Sequence, residues 1–198
     1  MVSNQLTDLN RQLELNKEKI LAKWFEATIS SYPEDTARIL GKSKNRFDNP
    51  VGSATRQSLQ DTFDNIMRMS LTENYKEYTN SKLSQTNKEH VDQNRVENSL
   101  DPVIRIRAVQ NFSASQAVAF VFELKNIVKS VLGELSDKTF DYRVDLVALA
   151  AFNRFMKCRE NIFLLKATES KRRVHSAFER AGLVTGLTED ELLGSRKS

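Results

Sequence analysis

The stretch LDPVIRIRAVQNFSASQAVAFVFELKNIV, residues 100–128, decides the fold class because it predicts two helices that meet at a capped corner. Its first segment is apolar on nearly all sides, which is typical of a buried helix. Ser113 is the predicted N-cap of the second helix, and Gln116, three residues later, completes a capping box. The stretch therefore predicts buried helix–helix packing and an all-α fold.

Two arginines interrupt the apolar first segment. Arg105 and Arg107 lie about 200° apart around a helix, so at most one of them can face a given pocket. In one interpretation a guanidinium binds a carboxylate or another anion in a ligand cavity, with Gln110 or Gln116 as a helper. The other interpretation is a structural ion pair, which we favour because buried arginines are usually paired. The candidate partners for that pair are Asp141, Asp145 and Glu123.

Helical patterns continue towards the N-terminus. Apolar residues recur at helical spacing before Tyr32-Pro33, and a short helix is predicted to stop at Gly41. The loop over residues 47–52, FDNPVG, is predicted to turn at Asn49-Pro50, to be pinned to the core by Phe47, and to open a new helix at Pro50. Residues 72–98 are crowded with Asn, Lys, Glu and Gln, which predicts a loop or weak exposed helix inserted in the domain.

A long final helix is predicted over residues 136–181, with Gly182 as its stop. At 1.5 Å per residue it would span roughly 65 Å, about twice the diameter of a small domain. Its second half is expected to leave the globule and to offer a dimer or partner surface, so that a charge at Phe163 or Leu165 would break a dimer. That surface comprises Phe163, Leu165, Val174 and Phe178. One helical domain over residues 1–182 and a polar tail over residues 183–198 are predicted.

Composition narrows the class of protein. The chain has 198 residues, a formal net charge of +4 and one cysteine, which excludes an intramolecular disulfide. No run reaches eighteen apolar residues, and no secretory signal is recognised. Membrane insertion is therefore not expected, and we expect a cytoplasmic location. The basic stretch of residues 166–180 lacks an aromatic platform, so a solvated helix face is favoured over nucleic-acid binding.

The corner also resembles a known family. RIRAVQNFSASQAVAFVFELK is similar to the signature of the RsbRD N-terminal domain, found in the RsbT co-antagonist proteins of the bacterial stressosome pathway. Trp24, Tyr32-Pro33, FDNPVG and FMKCRENIF (residues 155–163) follow the order expected for that family. The resemblance implies a globin-like, usually dimeric signalling domain, with a STAS-domain or kinase partner in stress response. Only sixteen residues follow Gly182, too few for the STAS domain of longer members.

Little chemistry is visible in the sequence. A globin-like fold would bind haem through a histidine in its pocket, but His90 and His175 both have the surroundings of surface residues, so no cofactor is expected. Cys158 lies between Lys157 and Arg159, which could lower its pKa and favour a redox-active thiolate. A buried apolar filler is the favoured interpretation of this cysteine. Metal-ligand clusters and catalytic motifs are not recognised, so the chain is not expected to be an enzyme.

The sequence thus predicts a globin-like helical bundle without haem. Its predicted function is a sensory and regulatory protein-interaction module of bacterial signal transduction, which relays a signal through the long C-terminal helix. The resemblance implies that the module is a homodimer. The alternative is a small-ligand sensor, or an accessory protein of anaerobic sulfur and redox metabolism, that uses an internal pocket or Cys158. Stand-alone members of the family in sulfur-respiring bacteria leave that alternative open.

Overall fold

The computed structural model describes residues 2–43, 45–69, 87–110, 112–133 and 138–182; side chains are described from residue 8 in the first range and from residue 94 in the third. Every regular element in these ranges is an α-helix, which confirms the all-α prediction with its long C-terminal helix. The helices are α1 (Val2–Leu15), α2 (Lys17–Ser30), α3 (Glu34–Lys42), α4 (Pro50–Arg68), α5 (Asn87–Val109), α6 (Ala114–Leu132) and α7 (Lys138–Arg180). A specifically globin-like arrangement, the domain bounds at residue 182 and the tail over residues 183–198 stay predictions, and the tail lies outside the described residues.

The predicted cap of α6 is present in full. Ser113 Oγ accepts a hydrogen bond from the Gln116 backbone N at 3.3 Å, and Gln116 Oε1 accepts one from the Ser113 backbone N at 2.9 Å. Each bond satisfies an N–H group that has no partner inside the helix. The position of the α5–α6 corner is therefore determined by local sequence.

The core is centred on α2, which packs against α3, α4 and α6, while α4 packs along α5. Trp24 on α2 is fully buried and stacks on Phe120 of α6, with ring centroids 6.1 Å apart. Its indole Nε1 donates a hydrogen bond of 2.6 Å to the Phe120 carbonyl oxygen. Burying an aromatic side chain of this kind contributes about 1.5–3 kcal/mol, so this contact fixes α2 against α6.

The chain forms two compact units that divide after Met156, within α7. In the first unit, the α7 residues Val144, Val147 and Ala151 are fully buried. Ion pairs between described residues bind this part of α7 to the other helices. The Arg154 guanidinium donates to the Asp101 carboxylate on α5 at 2.6 Å, and the Lys125 ammonium on α6 lies 2.6 Å from an Asp145 oxygen.

The second unit contains the remainder of α7, from Lys157 to Arg180. Apolar side chains are exposed here: Phe163 and Leu165 each retain 71% of their surface, Val174 retains 55% and Phe178 retains 46%. Successive side chains are about 100° apart around a helix, so Leu165 lies about 200° from Phe163 and points to a different face. Val174 and Phe178 lie within about 60° of Phe163 and share its face. The predicted partner surface thus divides into one three-residue face and a separate leucine.

Residues 72–98, predicted to be an inserted loop or weak exposed helix, form a helix in their second part, and that helix is not exposed throughout. Residues 87–98 belong to α5, and Val96 is buried, with 4% of its surface exposed. Val96 continues the buried row of Leu100 and Ile104 at four-residue spacing, so this polar stretch carries one apolar stripe that faces α4. Residues 72–86 lie outside the described residues.

The loop before α4 is held by a different residue from the one predicted. Phe47 does not reach the core, because 92% of its surface is exposed. Asn49, with 5% exposed, instead donates from Nδ2 to the carbonyl oxygens of Leu40 (2.7 Å) and Ser43 (3.0 Å). Its Oδ1 accepts from the Gly52 backbone N at 2.9 Å and so caps α4. An amide can both donate to and accept from backbone groups, which a phenyl ring cannot do.

Candidate functional site

The strongest candidate site is built around Arg107, in the last turn of α5. Its side chain is fully buried. Nη1 donates to the Gln116 carbonyl oxygen at 3.0 Å, and Nη2 donates to the Thr28 carbonyl oxygen at 2.9 Å and to the Ser31 hydroxyl at 2.8 Å. Nε has no hydrogen-bond partner among the described residues. A buried guanidinium is thus held by neutral dipoles rather than by an anion.

Three aromatic rings surround the same guanidinium. Its Cζ lies 4.6 Å from the ring centroid of Phe120, 5.1 Å from that of Phe112 and 5.2 Å from that of Tyr32. These distances allow cation–π attraction, which strengthens when both groups are removed from water. Phe112 and Tyr32 also meet edge to face, with centroids 5.1 Å apart. The three rings therefore compensate part of the hydration free energy that the Arg107 cation loses on burial.

Burial shifts the two titratable groups in opposite directions. It lowers the pKa of the Arg107 guanidinium, because an apolar environment disfavours the charged form, and the interaction with Tyr32 opposes this change. Burial raises the pKa of the Tyr32 phenol, while the charge of Arg107 and a hydrogen bond to it act against the rise. Since arginine stays protonated in proteins, the site contains a cation and a neutral phenol at pH 7.

Three helix ends create this site. The last turn of α2 contributes Thr28, the last turn of α5 contributes Arg107, and the first turn of α6 contributes Gln116. Carbonyl groups in the last turn of a helix lack intrahelical partners, and the helix dipole places about half a negative charge there. The C-terminal end of α2 is therefore a suitable acceptor for a cation, which explains how Arg107 is buried without a carboxylate.

A cavity of about 390 Å³ lies directly against this cluster. Ser31, Tyr32, Phe112 and Gln116 each contact Arg107 and also line the cavity. The remaining lining residues are Pro33, Thr36 and Gln110. Several of them, Gln110 and Gln116 among them, are exposed, so the cavity is open to solvent. Its walls combine aromatic surface with hydroxyl and amide groups, the mixture found in sites for small organic molecules.

Sequence reasoning identified part of this site. Of the four residues predicted to bind a ligand, Arg107, Gln110 and Gln116 come together at the corner. Arg105 does not: 65% of its side chain is exposed, and its Nε lies 2.8 Å from an Asp101 oxygen. The expected divergence of the two arginines is therefore confirmed, whereas a role of any of these residues in ligand binding stays a prediction.

The predicted acidic partner of the buried arginine is wrong. No Asp or Glu of the described residues forms an ion pair with Arg107. Of the expected candidates, Asp145 pairs with Lys125, and Glu123 accepts a hydrogen bond from Asn126 at 3.3 Å. The end of α2 takes the place of the carboxylate, because its free carbonyl groups and dipole stabilise a cation.

Sequence reasoning missed the residues that the other side of the cavity contributes. Ser31, Tyr32 and Thr36 come from the α2–α3 junction, and Phe112 from the corner loop. Tyr32-Pro33 marks the end of a helical pattern and contributes to the family resemblance, but neither feature predicts a cavity wall. The available signal was that the last turn of α2 has carbonyl groups and no basic residue of its own, so it can accept from a distant donor. The pattern does not say which donor that is.

The three remaining candidate residues are Cys158, His175 and His90. Cys158 is half-buried and forms no disulfide, so its predicted redox role stays a prediction. His175 is not the surface residue that the sequence indicated, since only 11% of its side chain is exposed and Nδ1 lies 3.6 Å from a Glu179 oxygen. The side chain of His90 lies outside the described residues.

Within the described ranges, no three His, Cys, Asp or Glu residues are grouped so that they could hold a metal ion. None of the helices in the described part of the chain combines the length and apolar character that a bilayer span requires. Comparison of the chain with family models, with curated proteins and with solved structures found no match in any of the three. The resemblance to the RsbRD N-terminal domain accordingly stays a prediction.

Proposed function

We propose that the protein is a non-enzymatic, ligand-responsive regulatory module that acts through protein–protein contacts, in bacterial signal transduction of the stressosome kind. The observation that supports this proposal best is the sharing of residues between the open cavity and the Arg107 cluster. An occupant of the cavity would touch Ser31, Tyr32, Phe112 and Gln116, four residues that also contact the guanidinium. Ligand binding would therefore act on the point where α2, α5 and α6 meet.

The proposed relay continues into α7 through two ion pairs. Asp101 on α5 accepts from Arg154, and Lys125 on α6 donates to Asp145. Helix α5 ends at the corner and α6 begins there. A displacement of α5 or α6 would change the position of this part of α7. The relay needs two discrete arrangements of these helices, whose populations the ligand shifts through its different affinities for them.

The test of the ligand function is a thermal-shift screen of a small-metabolite library, with hits located by amide chemical shifts. Gln110→Trp places a large side chain at the cavity rim, and Gln60→Trp makes the same change at an exposed position of α4. We expect hits that bind the wild type and Gln60→Trp but not Gln110→Trp. If every hit binds Gln110→Trp equally well, the cavity is not the ligand site.

The relay is tested by hydrogen–deuterium exchange over residues 138–156. A hit is expected to change amide exchange in this part of α7 as well as at the corner. Disruption of the Arg154–Asp101 pair by Arg154→Met should reduce the change in α7 while it leaves the change at the corner in place. A ligand that protects the corner and leaves α7 unchanged in the wild type would contradict the relay.

For the output side we propose a homodimer, with a STAS-domain protein or a kinase as the further partner, formed in the cytoplasm. Exposed apolar faces of this kind are typical of protein interaction sites, and Phe163, Val174 and Phe178 share one face of α7. Phe163→Glu and Leu165→Glu are a matched pair, because both side chains are 71% exposed but point to opposite faces. Light scattering should show that Phe163→Glu is monomeric and that Leu165→Glu stays dimeric. Equal behaviour of both variants would exclude this face as the dimer contact.

A further inference from the structure

The corner cavity has an uneven charge balance. Arg107 is fully buried beside it, and the groups that hold its two terminal nitrogens are two backbone carbonyls and one hydroxyl. The dipole of α2 supplies about half an opposing charge at most, which leaves a net positive potential behind the cavity wall. Low-dielectric surroundings screen this potential far less than water would.

A second feature of the same cavity also favours an anion. Pro33 and Thr36 bring the N-terminal end of α3 to the cavity, and this helix start has no side-chain cap. The first N–H groups of an uncapped helix have no intrahelical partner and carry partial positive charge, so they attract anions. Glu34 and Asp35 in the same turn oppose this effect. Both are exposed, and Asp35 is paired with Arg38 at 2.7 Å, so solvent and a counter-charge weaken their contribution.

The walls determine the rest of the ligand's chemistry. The rings of Tyr32 and Phe112 and the ring of Pro33 provide apolar surface, while the hydroxyl of Thr36 and the amide of Gln110 provide hydrogen-bond donors. A volume of about 390 Å³ is at the small end of the range for ligand sites. An inorganic anion would leave the aromatic walls without a contact, and a neutral apolar molecule would leave the donors without an acceptor.

We infer that the corner cavity binds a small organic anion, a carboxylate on an apolar or aromatic body, with the carboxylate oriented by the buried charge of Arg107. This inference rests on the proposed ligand function and specifies the ligand class. Arg107 is a positioning residue, because the groups that would touch the ligand are the lining side chains. The ligand also adds the negative charge that the cluster lacks, so its binding should strengthen the packing of α2 on the α5–α6 corner.

The test compares benzoate with benzamide, two probes of nearly equal shape that differ in charge. Isothermal titration with the wild type is expected to give an affinity for benzoate about tenfold higher than for benzamide, a difference of about 1.4 kcal/mol. Amide chemical shifts should place both probes at the cavity. Because the responsible charge is buried, the ratio should change little between low and moderate salt.

Gln116→Glu is the decisive variant. Glutamate keeps the acceptor oxygen of the capping box and so preserves the start of α6, but it adds a negative charge to the cavity lining. The tenfold preference should disappear in Gln116→Glu and persist in Gln60→Glu, which adds the same charge at an exposed position of α4. Arg107→Lys, which retains the charge, should keep a preference for benzoate if it folds.

Three results would overturn the inference. The first is equal affinity for the two probes in the wild type. The second is a preference for benzoate that survives Gln116→Glu, and the third is binding of benzoate away from the cavity or not at all at millimolar concentration. The proposed function would stand after any of them if the metabolite screen still yields hits that Gln110→Trp abolishes. It would fall separately if that screen fails.

Discussion

Replacement of Arg107 by alanine tests the central physical argument about this protein. The substitution removes hydrogen bonds to the Thr28 and Gln116 carbonyl oxygens and to the Ser31 hydroxyl. It also removes a fully buried side chain from among three aromatic rings. The end of α2 and the start of α6 would lose their common donor.

The magnitude follows from opposing contributions. Hydrogen bonds that involve a charged group contribute about 1.5–3 kcal/mol each, and truncation of a large buried side chain costs about 2–5 kcal/mol. The desolvation of an incompletely compensated cation acts in the other direction and is itself several kcal/mol. We expect a net loss of about 3 kcal/mol in the free energy of unfolding, which for a chain of this size lowers Tm by roughly 6–12 °C.

Urea unfolding followed by tryptophan fluorescence measures this loss. Trp24 is the single tryptophan and is fully buried in the first unit, so its emission reports on the unit that contains Arg107. Arg105→Ala is the matched control, two residues away on the same helix. Its side chain is 65% exposed and paired within the helix, so the expected loss is at most about 0.5 kcal/mol.

The reasoning would be refuted by either of two results. One is a loss below about 1 kcal/mol for Arg107→Ala, the ordinary effect of a point substitution. The other is equal destabilisation by the two alanine variants. A greater stability of Arg107→Met than of the wild type would show in addition that the cation costs more than it contributes to folding, as is known for some buried charges.

Three other perturbations have defined outcomes. Gly52→Ala should lower the free energy of unfolding by about 2 kcal/mol, because an added Cβ would lie 2.5 Å from the Leu40 carbonyl oxygen. Gly41→Ala is the control: its added Cβ would lie 3.5 Å from the nearest atom, so the free energy of unfolding should rise by about 0.5–1 kcal/mol. Thermal unfolding compares the two variants. Asn49→Ala should cost about 2–3 kcal/mol, since it removes the cap of α4 and two buried donor contacts. Asn49→Asp keeps the cap acceptor but places a buried carboxylate oxygen against the Leu40 and Ser43 carbonyl oxygens, so it should lose at least as much, and a clearly smaller loss would contradict this assignment. The free energy of unfolding should fall above about pH 10, because burial raises the pKa of the Tyr32 phenol and the unfolded chain releases that proton first. The contribution of Tyr32 to stability is complete below the pKa of the phenol in the unfolded chain, and it is lost as the pH rises through the pKa in the folded protein. Urea titration should therefore show a smaller fall in the free energy of unfolding for Tyr32→Phe than for the wild type.

Some features of the site could be predicted from the sequence because they depend on neighbours along the chain. The capping box joins Ser113 and Gln116, three residues apart. The divergence of Arg105 and Arg107 follows from the helical repeat alone. The start of α4 at Pro50, after the turn at Asn49-Pro50, likewise follows from local rules for helix termini.

Other features could not be predicted, because a pattern of residue types shows which side chains can be buried but not which residues they contact in the folded chain. The exposed Phe47 and the buried Asn49 had the same local signal, a turn between helices, and only the packing of α3 against α4 decides which one enters the core. The polar stretch after residue 87 had the composition of a loop. Its place in α5 depends on the single row of residues that α4 covers.

Residues 100–128 by themselves determined two helices, the cap between them and the fact that at most one of the two arginines can face a given pocket. The tertiary structure decided that this arginine is Arg107, that its partners are Thr28 and Ser31, and that a cavity opens beside them. Those partners lie 79 and 76 positions away along the chain. Helix formation depends on bonds between residues three and four apart, whereas compensation of a buried charge depends on whichever dipoles the fold brings within about 3 Å of it.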